Sequence, residues 1–158
     1  MTQLFSFPNP VNEVSARLVA GGVVVLGVIT LAADQRWLLL VLAYGFVARV
    51  ATGPTLSPLG QLVTRVLTPR LPFAAKYVAG PPKRFAQGIG ATLSVGAMIA
   101  SYGFGSTVVA DALVALIVVA ATLESVFALC LGCKIFAVLI RFGVIPEEIC
   151  ERCNNIWA

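Results

Sequence analysis

Four long stretches almost without charge constrain this chain more than anything else in it. Residues 18–33 read LVAGGVVVLGVITLAA between Arg17 and Asp34, and residues 37–51 are interrupted only by Arg49. Residues 85–104 read FAQGIGATLSVGAMIASYGF, and a fourth run extends from Thr107 to about Cys130 with Asp111 at its start and Glu124 well inside. Such runs need an apolar solvent. The rest of the chain does not compensate for them, because charged residues are only 11% of the total and hydrophobic residues 59%. A soluble domain carries about 25% charged residues, so this chain has too few charges to cover its surface in water. It reads as an all-α integral membrane protein, a four-helix transmembrane bundle with short amphipathic helices on the cytoplasmic side. The sequence holds no His, which excludes His-based metal sites, catalytic triads and proton relays.

The runs predict a single membrane domain over residues 1–158, with spans at about 14–33, 36–51, 85–104 and 107–131. The first run alone falls short of a 30 Å hydrocarbon core at about 1.5 Å per residue. Extension back towards Asn9-Pro10, read as an N-cap and first helical position, makes up the length. A cleaved signal peptide competes for this segment, but Glu13 and Arg17 give the preceding residues no net positive charge. Trp37 suits an interfacial anchor, and Arg49 is expected to snorkel to the surface. Gly90 and Ser94 form a small-xxx-small pair of the kind that permits close helix approach.

Arg49, Arg65, Arg70, Lys76, Lys83 and Arg84 occur between the second and third spans without one acid, whereas the other turns hold only Asp34, Arg36 and Asp111. Positive residues stay inside, which predicts a multi-pass protein of the cell membrane with both termini cytoplasmic. Within the long loop, Ser57-Pro58 opens an amphipathic helix over about 58–68, with Leu59, Leu62, Val63, Val66 and Leu67 on its apolar side. The six positive charges suit anionic lipid as a partner, although topology alone explains them. No module or aromatic interleaving points to nucleic acid.

All four cysteines lie in the tail, residues 130–158, as Cys130-Leu-Gly-Cys133 and Cys150-Glu-Arg-Cys153. Two residues between thiols let both sulfurs reach one metal ion or each other. The two pairs therefore fit a four-thiolate zinc (or iron–sulfur) site on Cys130, Cys133, Cys150 and Cys153, or two redox dithiols. On the cytoplasmic side a permanent disulfide is disfavoured. Lys134 and Arg152 would favour thiolate, and Pro146-Glu147-Glu148 reads as the start of a helix carrying the second pair. Residues 134–142 form an apolar stretch too short to span, an interfacial or re-entrant helix turning at Gly143.

Asn9-Pro10-Val11-Asn12-Glu13 with Arg17, the small-residue spans and Cys130-Leu131-Gly132-Cys133 together resemble a family of bacterial membrane proteins, the domain of unknown function 4395. The resemblance covers nearly the whole chain. It implies about four membrane helices and a neighbourhood of thioredoxin-like and rhodanese-like proteins, hence thiol or sulfur chemistry, with the first cysteine pair the more typical. The expected function is thus a thiol–disulfide or sulfur-relay partner of a soluble thioredoxin-like or rhodanese-like protein. Cys130 and Cys133 would form the primary dithiol and Cys150 and Cys153 would relay or resolve. The alternative is a membrane scaffold folded by zinc. A second copy of the chain is a further candidate partner. The motifs do not by themselves specify an enzyme.

Glu124 is a carboxylate at membrane depth, costly unless paired. Arg17 and Arg49, at comparable depth, are its expected partners. A six-residue offset turns Cys130 about 240° from Glu124 on an ideal helix, which separates the two unless the helix breaks between them.

Overall fold

A computed structural model describes residues 10–146 as a helical bundle in which six helices account for most of the chain. Asn9, Glu147, Glu148, Cys150, Arg152 and Cys153 lie outside the described residues. Helix α1 is Glu13–Ala32, and it starts later than Asn9-Pro10 suggested. Val11 and Asn12 are drawn into a two-residue antiparallel ladder with Tyr77 and Val78. The Asn12 side chain then caps the helix by accepting from the Val14 N–H at 3.0 Å.

Helix α2, Leu38–Thr52, is entered through three i to i+3 backbone bonds from Leu38, Leu39 and Leu40. It ends at Gly53, whose φ of +65° lies in the region that favours glycine. Segment α3 starts where Ser57 Oγ accepts from the Gly60 N–H at 3.2 Å and Pro58 fills the first helical position. It runs as Pro58–Leu62, a π turn Val63–Leu67 and a last turn Thr68–Arg70. The π turn resets the helical face, so Val63 is buried while Leu62, Val66 and Leu67 point outward.

Helix α4, Gly80–Tyr102, begins earlier than residue 85 because Pro81 and Pro82 stand in its first turn, where an N–H has no intrahelical partner to lose. Helix α5, Thr107–Phe127, stops short of residue 131 at Ala128, a non-glycine residue with φ +55°. Helix α6, Leu131–Arg141, follows at once and ends before Gly143, with φ +74°.

Helix α1 packs mainly on α5, α5 on α4, and α4 on α2, while α6 lies across the start of α4. Val23, Leu39, Leu42, Phe46, Ala97, Val114 and Ile117 fill the centre. At the α2–α4 crossing a Cβ on Gly90 would stand 2.2 Å from the Phe46 ring, so this contact needs glycine. At one end of the bundle Arg36 joins Asp34 to Asp111, the latter at 2.9 Å, tying the α1–α2 turn to the start of α5.

Among the described residues, α1 and α5 are long and apolar enough to cross a membrane, and α2 is a shorter apolar helix. Large apolar side chains face outward on all the long helices, among them Val25, Leu40, Val47, Ile99, Leu116 and Val119.

Candidate functional site

At the end of the bundle opposite Arg36 and Asp111, the chain makes a local break that the sequence does not advertise. Ala128 takes the left-handed conformation, which costs a residue with a Cβ about 1–2 kcal/mol. The Arg17 side chain offsets this by donating from Nε and Nη2 to the Ser125 carbonyl oxygen at 3.1 and 3.0 Å, and from Nη2 to that of Val126 at 3.3 Å. These are carbonyls of the last turn of α5, where a cation also meets the negative end of the helix dipole. Arg17 is therefore a helix cap and not the partner of Glu124.

The break sets Cys130 at the N-cap of α6 and Cys133 three residues into it. Cys130 Sγ accepts from the Cys133 backbone N–H at 3.3 Å, the place an N-cap oxygen usually takes. Both cysteines are free thiols and both are buried, at 8% and 9% exposure. Their helix is held against α4 by the ring of Phe136 on that of Phe85, 5.5 Å between centroids. It is also held by Gly132, where a Cβ would come within 2.5 Å of Ala86 Cα.

Lys83, in the first turn of α4, pairs with Glu124 near the end of α5 at 2.5 Å between Nζ and Oε1, with both side chains largely buried. This corrects the expected pairing. Arg49, too, is turned elsewhere: it donates to Gln87 Oε1 at 2.9 Å and Ser57 Oγ at 3.2 Å and lies 4.6 Å from the Phe46 ring centroid. With acceptors inside the bundle, Arg49 stays buried at 6% exposure and does not snorkel out. In the sequence, Lys83 stands out only as one of six cations between the second and third runs. Its position three residues after Gly80, on a helix that must cross α5, was the only available signal.

The helix break also removes the separation between Glu124 and Cys130 that an unbroken α5 would impose. The Cys130 thiol is held below the ordinary cysteine value chiefly by the hydrogen bond of the Cys133 side chain, and further by the Lys83 ammonium and the Cys133 backbone N–H. Burial and the Glu124 carboxylate oppose this. The Cys133 thiol is pushed well above its ordinary value because it serves as the donor to Cys130 and is buried. The two thiols of the pair are thus unequal, one held towards its thiolate and the other towards its protonated form. Lys83 is a cation acting on both thiols, and Lys134 lines the cleft next to them.

That cleft, of about 720 Å³, is bordered by Glu13, Lys76, Lys83, Cys130, Cys133 and Lys134 among others. The Glu13–Lys76 ion pair at 3.2 Å forms part of its rim. Among the described residues no group of three or more His, Cys, Asp or Glu could hold a metal ion. Two thiols leave a tetrahedral zinc half-coordinated, so a four-thiolate site would require Cys150 and Cys153.

A pH profile tests the unequal thiols. Because the depressed thiol favours its charged, reactive form, alkylation of Cys130 by iodoacetamide is expected to reach half its plateau below the pH of an ordinary cysteine. Cys133 is expected to stay unmodified over the same range, read by mass spectrometry at each pH. Equal midpoints for the two residues would refute the assignment.

The sequence model of a family described as Domain of unknown function (DUF4395) matches residues 11–141. No curated protein and no solved structure gives a match.

Proposed function

The chain belongs to the DUF4395 family, and from that premise we propose that it is a multi-pass membrane protein exchanging disulfide or sulfane sulfur with a soluble thioredoxin-like or rhodanese-like protein through Cys130 and Cys133. The observation that carries this reading is the Cys130 sulfur at the N-cap of α6, accepting from the Cys133 N–H beside Lys83. Helix N-termini and neighbouring cations are two of the environments that favour a nucleophilic thiolate.

In this reading the single domain crosses the cell membrane four times on α1, α2, α4 and α5. The outward apolar side chains of these helices support it, since a protein in water rarely exposes so much contiguous apolar surface. Positive-inside bias then puts both termini and the dithiol on the cytoplasmic side, with α3 and α6 at the inner leaflet near anionic lipid.

The exchange proceeds in two steps. The Cys130 thiolate attacks one sulfur of the partner disulfide, the partner S–S bond breaks, and its other sulfur leaves as thiolate. Cys133 then attacks Cys130 Sγ in the mixed disulfide, forming Cys130–Cys133 and releasing the second partner sulfur. The Cys133 proton and one from solvent end on the partner thiols. Cys150 and Cys153, as a second pair, would relay or resolve.

Oxidised glutathione serves as the test disulfide. Reduced wild-type protein in detergent is expected to release two glutathione thiols per dithiol. Cys130→Ser is expected to lose this release, and Cys133→Ser to accumulate a glutathione adduct on Cys130, both visible by intact mass. If wild type does not react and carries about one zinc or iron per chain bound by thiols, a metal-folded scaffold replaces the proposal.

A further inference from the structure

Cys130 borders a second cavity besides the polar cleft. This crevice, of about 240 Å³, lies among α1, α2, α4, α5 and α6, and its walls are apolar except for Gln87, Glu124 and Cys130. Among the described residues, Cys130 is the one that lines both the cleft and the crevice. At its outer side stand Leu116, Leu131 and Ile135, at 57%, 39% and 47% exposure, which face lipid if the chain spans the membrane as proposed. A dry cavity of about 150 Å³ already accepts a six-membered ring, so this one has room for a substituted single ring whose tail leaves past Leu116.

We propose that the crevice takes a lipid-soluble quinone, which accepts two electrons from the Cys130–Cys133 dithiol. The inference rests on the thiol-exchange reading with that exchange run in the reverse sense, a soluble dithiol reducing the Cys130–Cys133 disulfide, and it supplies a sink for the electrons so collected. Three features select this class of ligand. The crevice is apolar and open on its lipid side, which suits a ring carrying an aliphatic tail. Its polar groups gather at the end holding the sulfur. There Gln87 spends its carbonyl oxygen on Arg49 Nε at 2.9 Å, so the group it can offer a quinone oxygen is its N–H. The Glu124–Lys83 pair stands at the same end, with Glu124 on the crevice wall. The electrons and protons balance: both S–H bonds break and one S–S bond forms. The two electrons and two protons pass to the quinone oxygens, giving the hydroquinone. Soluble thiol partners meet the same sulfur from the cleft, which Cys130 borders as it does the crevice.

The test uses full-length reduced protein in phosphatidylcholine nanodiscs, kept anaerobic, with decylubiquinone as the probe. Loss of the quinone absorbance is followed alongside thiol content. Wild type is expected to reduce one quinone per dithiol oxidised, about a 1:1 ratio, and Cys130→Ser none. Ala120→Phe, which fills the crevice from α5, is expected to slow quinone reduction at least about tenfold while exchange with oxidised glutathione changes less than about twofold. Should Ala120→Phe fail to fold, Leu116→Trp at the mouth of the crevice gives the same comparison. Glutathione exchange without quinone reduction, or reduction that Ala120→Phe leaves unchanged, overturns the quinone site and leaves the crevice to a lipid acyl chain. Failure of both exchanges overturns the thiol reading itself.

Discussion

Lys83→Met is expected to destabilise the detergent-solubilised protein by about 3–5 kcal/mol, the cost of leaving a buried carboxylate without its partner. Glu124 and Lys83 meet at 2.5 Å with side-chain exposures of 13% and 9%, so water cannot replace either group. Glu124→Gln is expected to cost less, because an amide oxygen still accepts from the Lys83 ammonium. The double variant Lys83→Met/Glu124→Leu is expected to recover most of the loss, since an apolar pair of similar volume removes both desolvation penalties. Thermal or denaturant unfolding of the four proteins closes the cycle. Equal losses for Lys83→Met and for the double variant would mean that Glu124 is stabilised by something other than Lys83. A separate readout belongs to the thiol: removal of the ammonium is expected to move the Cys130 alkylation midpoint up in pH, because Lys83 is one of the groups favouring its thiolate.

The second large effect is expected at Gly132, which is a packing residue inside the cysteine motif. A Cβ at this position would lie 2.4 Å from Ala86 Cβ and 2.5 Å from Ala86 Cα, so the obstacle is backbone as well as side chain. Gly132→Val is expected to cost at least about 1–3 kcal/mol by overpacking, and to push α6 away from α4. Since Phe136 and Cys133 ride on α6, the displacement would also loosen the N-cap contact at Cys130, lowering its alkylation rate. Ala86→Gly in the same chain is expected to rescue only part of the loss, because Ala86 Cα remains in the way. Full rescue would place the clash at the Ala86 methyl group alone. No change in melting temperature for Gly132→Val would show that α6 does not sit this close to α4.

These two sites also show how far the sequence could be read. The long apolar runs announce helices because a run without charge has few stable alternatives, and the Ser57-Pro58 pair announces the start of α3 through its capping chemistry. The concentration of cations between α2 and α4 is equally local. Where helices end is less visible. Asn12 caps α1 in place of Asn9-Pro10 because Val11 and Asn12 are held in the ladder with a distant strand, Tyr77–Val78. The end of α5 at Ala128 has no glycine or proline to mark it. It depends on Arg17, more than a hundred residues earlier, capping the carbonyls of Ser125 and Val126.

The choice of Lys83 over Arg17 and Arg49 as the partner of Glu124 has the same origin. Depth along a helix can be estimated from the chain, but azimuth around the bundle cannot. All three cations lie near one end of their helices, and only the packing of α4 on α5 selects among them.

Composition, hydrophobic runs and residue positions, then, determined by themselves that this chain is helical, that its helices include apolar ones of membrane length, and that its cysteines are confined to the tail. Those properties follow from each residue and its neighbours, since burial preference, capping and charge segregation act over a few positions. The tertiary structure alone decided that Cys130 caps α6 between a polar cleft and an apolar crevice, and that Lys83 stands beside it. Both facts arise from contacts between segments far apart in sequence, where steric fit and the need to pair a buried charge choose one arrangement among several that the local signals allow.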